Sequence, residues 1–296
     1  MLAYAARAAN VAHRSMLDAF ELSRPDEDTP FVLEVPHGGL VLDEATRLRV
    51  PAKALEAGSV LADSDVGARE LFKAVGHARA TVVTATLSRY VIDLNTTPRL
   101  PTPYEDKRPP GLNDIRRRSQ SGAQWYEPAR TGDEVRAAVA SIFEPYHRAV
   151  EAELDQAAAG FAAVLLVSGH TYPARGRESA DIVVGSQDGA TAPSELTQAF
   201  ARSLERQGLT VALERPFPGG YSVGRHARLA DARFAMQLEV ARPLVCRPGG
   251  VLSKEDANLD PVAIASLARS LAAALDELRE LLDAPRHATP SHRSSG

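Results

Sequence analysis

Apolar residues fall in two rhythms along this chain: short unbroken runs, and repeats at three- and four-residue spacing. The runs Phe31-Val32-Leu33-Glu34-Val35, Thr81 to Leu87 and Phe161 to Val167 read as buried strands. Asp181 to Gly185 and Thr210 to Leu213 are shorter examples. Helices are expected over Pro51 to about Val75, Asp133 to about Leu154, Ser194 to Gln207 and Asp256 to Leu282. In the second of these Val135, Val139, Ile142, Tyr146, Val150 and Leu154 mark one face, and Pro145 is expected to kink it. Phe234 to Val240 alternates, with Phe234, Met236, Leu238 and Val240 on one face and Gln237 and Glu239 together on the other. Strands that alternate with helices predict an α/β fold, a mixed, largely parallel sheet flanked by helices.

The ends and one inner segment carry weaker rhythm. Residues from about Leu2 to Leu22 have helical composition without the basic-then-apolar order of a signal peptide. Thr96 to Thr131 is rich in Pro, Arg and Gly, and a stretch of that length reads as a lid or binding segment or as partly disordered. The chain is expected to form a single domain over 1–283, with 284–296 a disordered tail.

Composition narrows the partners. A formal charge of -4 over 296 residues provides no global basic surface, which argues against nucleic acid. No apolar run is long enough to span a bilayer. Cys246 is the only cysteine, so an intrachain disulfide framework and a cysteine-rich zinc site are both excluded. Any metal must rest on histidines and carboxylates, and a cytoplasmic setting is expected.

Two histidines stand where such chemistry would sit. His37 follows the strand run at Phe31–Val35, with Gly38 and Gly39 behind it; His170 follows Phe161–Val167 through Ser168-Gly169. In an open α/β sheet, ligands lie beyond the carboxyl ends of the strands. Zinc in hydrolases commonly takes three protein ligands, so a carboxylate is needed as the third, with Asp65 or Asp63 nearest in sequence. Glu239, on the polar face of an apolar strand, is either a general base or a member of an exposed, salt-bridged face. Arg89 and Arg225 stand at strand ends or in loops, where arginine can grip an acidic substrate or simply face solvent.

The motifs, in order, resemble those of the N-formylglutamate amidohydrolase family. Val35-Pro36-His37-Gly38-Gly39 is similar to the family's V-P-H-S-G, and Asp63-Ser64-Asp65-Val66 stands where it has D-T-D-W. Ser88 to Asn95 is similar to S-R-Y-V-I-D-L-N-R, Tyr146-His147 to its Y-H helix, and Gly169-His170-Thr171 to D-x-H-S. Pro216 to Tyr221, followed by Arg225-His226, resembles P-F-x-G-G-Y, and Met236 to Val240 resembles L-Q-L-E-I. The resemblance implies a phosphorylase/hydrolase-like fold related to zinc carboxypeptidases. It also implies a Zn2+ or similar divalent ion held by His37, Asp65 and His170, with Glu239 as general base and then proton donor. Arg89, Asn95 and Arg225 would contact the carboxylate of a small acidic N-acyl amino acid. Ser168, Gly39, Val66 and Thr96 depart from the pattern, replacing aspartate, serine, tryptophan and arginine. Two other readings stay open, an amidase or peptidase for peptide or cell-wall fragments and a non-catalytic small-molecule-binding protein.

Overall fold

The computed structural model describes residues 19–52, 55, 59–77, 79–97, 131–174, 179–247 and 258–283. The expected tail and most of the Thr96–Thr131 segment lie outside these residues. The strands are β1 (Phe20–Ser23), β2 (Phe31–Val35), β3 (Thr81–Ala85), β4 (Val164–Tyr172), β5 (Ile182–Gly185), β6 (Val211–Leu213) and β7 (Arg233–Ala241). The helices are α1 (Glu44–Arg49), α2 (Ser59–Asp63), α3 (Ala68–Gly76), α4 (Gly132–Ala138), α5 (Glu144–Gly160), α6 (Ser194–Arg206), α7 (Tyr221–His226) and α8 (Pro261–Asp283). One sheet runs in the order β1-β3-β2-β4-β7-β5-β6. It is mixed and largely parallel, with β1 antiparallel to β3 and β5 antiparallel to β7.

Alternation along the strands divides the core in two. Phe31, Leu33 and Val35 of β2 and Leu165 and Val167 of β4 join Leu71, Phe72, Phe200 and Leu271 on the face covered by α3, α6 and α8. Val32, Val164, Leu166 and Ala235 meet Tyr146, Val150, Leu154 and Val223 on the face covered by α5 and α7. Further along this second face the same alternation places Glu34, Ser168, His170, Gln237 and Glu239, all buried. A row of buried polar groups at the carboxyl ends of three adjacent strands must be paired or working. The chain leaves β2 towards β3 on one side and β4 on the other, so this row lies at a topological switch point.

Several elements differ from the sequence expectation. Phe20–Ser23 is an edge strand rather than the end of a helix, because β3 offers a free edge for antiparallel pairing. The helix expected over Pro51–Val75 is interrupted, since Gly67 adopts a left-handed φ of 82° between α2 and α3, so Asp63-Ser64-Asp65 closes one helix and enters a turn. Ser88–Asn95 turns instead of extending β3, with the Asp93 carboxylate accepting from the Asn95 amide at 3.0 Å. The helix expected over Asp133–Leu154 is interrupted by a π-helical turn at Val139–Phe143, and Pro145 sits in the first turn of α5 that follows it. Finally, β4 runs to Tyr172, so His170 lies within a strand and not in a loop beyond one. Its neighbour β7 continues equally far and supplies the pairing that keeps the chain extended.

Candidate metal centre

Three buried side chains converge at the switch point: one ligand atom each from His37, Asp65 and His170 lies within 4.8 Å of the others. His37 comes from the turn after β2, where Asp65 N–H donates to its carbonyl at 3.3 Å. Asp65 comes from the turn between α2 and α3, and His170 from β4. Both imidazoles present Nδ1 to Asp65 Oδ2, at 3.5 Å from His37 and 2.7 Å from His170. A tetrahedral zinc with bonds of ~2.0 Å needs donors roughly 3.3 Å apart, so this set fits such an ion with small adjustment. Asp63, the alternative carboxylate, is turned elsewhere and accepts from the Tyr90 hydroxyl.

The far nitrogens of both rings are also engaged. His37 Nε2 lies 2.8 Å from Asp93 Oδ1, and Asp93 Oδ2 accepts from Arg89 Nη2 at 2.8 Å. A carboxylate behind a ligating imidazole fixes its tautomer and raises its basicity. Sequence reasoning gave Asp93 no role, although it lies inside the Ser88–Asn95 motif; an acidic residue between Ile92 and Leu94 was the available signal. His170 Nε2 lies 3.2 Å from Ser168 Oγ and 3.2 Å from Asn95 Nδ2. The serine that stands for an aspartate therefore still touches this ring, through a neutral oxygen.

Charges follow from this packing. Burial pushes the Asp65 carboxyl up, but the His37 charge and the His170 hydrogen bond outweigh it and hold Asp65 below the ordinary range. Burial lowers His170, and the bond to Asp65 with the Glu239 charge raises it above the ordinary value. Glu239 is the register partner of His170 across β4 and β7 and accepts from Gln237 Nε2 at 3.0 Å. Its carboxyl is pushed up to about 7, chiefly by burial and further by Asp65, against the opposing charges of His170 and Arg89.

This shift has a signed consequence for the metal-free protein. The folded state holds a proton at Glu239 that the unfolded chain releases near 4.5. The Glu239 contribution to stability is therefore full below about pH 4.5 and is lost as pH rises to about 7. In Glu239→Gln that loss disappears, so the melting temperature of the metal-free variant should gain on wild type across this window. A difference that does not change with pH would show that Glu239 ionises normally.

The remaining expected residues fall in two places. Asn95 donates to Gln237 Oε1 at 3.2 Å, accepts from Ser222 N at 2.9 Å, and lines a cavity of about 600 Å³ with Thr96, Gln187, Tyr221 and Arg225. Arg225 is held there by Glu144 at 3.0 Å and the Tyr221 hydroxyl at 2.7 Å. Arg89 is buried away from this lining, on Asp93 and 3.7 Å from Asp65. Gly39 also has a structural reason to depart from serine: a Cβ there would lie 2.2 Å from the Leu87 carbonyl oxygen.

Comparison with known proteins bears on the family and the fold. Residues 29–246 match the family model described as N-formylglutamate amidohydrolase. The N-formylglutamate deformylase of Pseudomonas aeruginosa is 27% identical over 224 residues, which cover 72% of this chain and 80% of that protein. The crystal structure of N-formylglutamate amidohydrolase from Ralstonia eutropha JMP134 superposes with a TM-score of 0.72 at 25% identity, covering 90% of this chain and 98% of the other. A protein from Agrobacterium tumefaciens shares the fold, with a TM-score of 0.66 at 18% identity over 88% of this chain and 96% of its own.

Proposed function

Because the chain belongs to the N-formylglutamate amidohydrolase family, we propose that it hydrolyses the amide bond of a small N-formyl or N-acyl amino acid, with N-formylglutamate the first candidate. The observation that carries this reading is the buried His37, Asp65 and His170 cluster with Glu239 across the strand from His170. Those three residues would hold a divalent ion, zinc by the chemistry of two imidazoles and one carboxylate. Such an ion, when bound, supplies a Lewis acid that polarises the amide carbonyl and makes water a better nucleophile at neutral pH.

Glu239 takes a proton from the attacking water and returns it to the leaving nitrogen as the C–N bond breaks. Burial raises its basicity above that of a free carboxylate, which favours taking up the proton. Asn95 and Arg225, on the cavity wall, hold the substrate carboxylate. Arg89 keeps the Asp93 and Asp65 carboxylates in place, since its guanidinium is already committed to them. Asp93 in turn orients His37, so Asp93→Ala should weaken metal affinity about 10–100-fold. Chelator competition on the folded variant measures this, and an unchanged affinity would remove Asp93 from the centre.

The direct test is metal analysis of the purified protein together with formate release from N-formyl-L-glutamate. Stoichiometric zinc with formate supports the whole reading. Zinc without formate redirects the search to other N-acyl amino acids. A protein that neither retains nor regains metal is not a metal-dependent hydrolase.

A further inference from the structure

Two histidines outside the metal centre form a buried chain of hydrogen bonds between a surface-side carboxylate and the cavity. His147 of α5 and His226 of α7 are both fully buried. His147 Nε2 lies 2.9 Å from the Leu94 carbonyl oxygen, and its Nδ1 lies 3.0 Å from His226 Nε2. His226 Nδ1 lies 2.8 Å from Glu151 Oε2, while the other oxygen of Glu151 accepts from Arg233 at 2.7 Å.

Donor and acceptor chemistry assigns the protons. A carbonyl oxygen only accepts, so His147 Nε2 carries a hydrogen and a neutral His147 leaves Nδ1 as acceptor. Burial and the charges of His226 and Arg225 push His147 down to about 2, which keeps it neutral. His226 Nε2 must then donate to it, and His226 Nδ1 must donate to a carboxylate. All three bonds are satisfied together only when His226 is an imidazolium.

The chain ends at two parts of the cavity. Leu94 immediately precedes Asn95, which touches His170 and caps the first turn of α7 through Ser222 N. Helix α7 itself carries Tyr221 and Arg225 into the lining. We propose that His226 and His147 are positioning residues for the substrate cavity, tying Glu151 to the Leu94 carbonyl and so setting Asn95 and helix α7 in place. The functional consequence rests on the hydrolase reading above; the hydrogen-bond assignment does not.

Groups that face His226 set where it titrates. Glu34 from β2 and Glu151 from α5 favour its charged form, and Arg225 on its own helix disfavours it. Arg228 and Arg233 reach it through Glu151. Burial dominates and draws His226 below the ordinary histidine value, so the chain is complete on the acid side.

Histidine 15N NMR on the whole protein tests the assignment. His147 should show a proton on Nε2 alone throughout the neutral range, and His226 should carry two protons on the acid side and lose one as pH rises. In His147→Leu the Asn95 side-chain amide should shift, and in His147→Gln, which retains a donor, it should shift less. Kinetically, His226→Gln should raise KM for N-formyl-L-glutamate roughly tenfold, the effect of one lost buried hydrogen bond, with metal content unchanged and kcat nearly so. Wild-type KM should rise as His226 deprotonates, and the variant should lose that pH dependence. A bare His147 Nε2, or an unmoved Asn95 amide in folded His147→Leu, overturns the positioning role whether or not the protein releases formate. Unchanged KM in an active His226→Gln variant would do the same. If wild type neither holds metal nor releases formate, the hydrolase reading fails while the NMR results still decide the chain.

Discussion

Glu239→Gln should bind metal as wild type does and lose at least about a hundredfold in turnover, the scale expected when a general base is removed. The substitution keeps the shape of the side chain and an oxygen for the Gln237 amide, which now meets Glu239 Oε1 at 3.0 Å. It removes only the ability to take up and return a proton. Glu239 is not one of the three clustered donors, so metal content should be unaffected. Single-turnover formate release beside metal analysis separates the two effects. A variant as active as wild type would end the role assigned to this residue.

His37→Ala should have the larger effect on metal, because it takes one donor from a set of three. The purified variant should lose stoichiometric metal, and turnover should fall at least as far as in Glu239→Gln. Asp65 would also lose one of the two imidazoles that offset its burial. The metal-free melting temperature shows whether the variant still folds, and dialysis against zinc then reads the site itself. A folded variant that retains full zinc would mean that the ligands lie elsewhere.

Much of this architecture is legible in the order of residues. Apolar runs alternating with helical repeats are local consequences of side-chain spacing, and they predicted an α/β chain with a mixed sheet. The alternation at Phe234–Val240 is equally local, and it put Gln237 and Glu239 on one face before any neighbour was known. The residue types at His37, Asp65, His170 and Glu239 suggested a metal-dependent chemistry because few other side chains serve it.

What the order of residues could not decide was everything that depends on a partner strand or a distant turn. Phe20–Ser23 is extended because β3 has an open edge. His170 lies within a strand because β7 runs beside it as far as Ala241. Asp65, not Asp63, faces the two histidines because Gly67 breaks the helix there and Tyr90 engages Asp63. Arg89 and Asp93 are only four positions apart, yet it is packing that sets their pair against His37 and Asp65. His147 and His226 are 79 positions apart and become one chain through the meeting of α5 and α7. Local spacing determined the central strands and the long helices and which faces they bury, since those follow the backbone period. Tertiary structure decided which polar groups meet, because a buried donor or acceptor takes its partner from whatever element the fold packs against it.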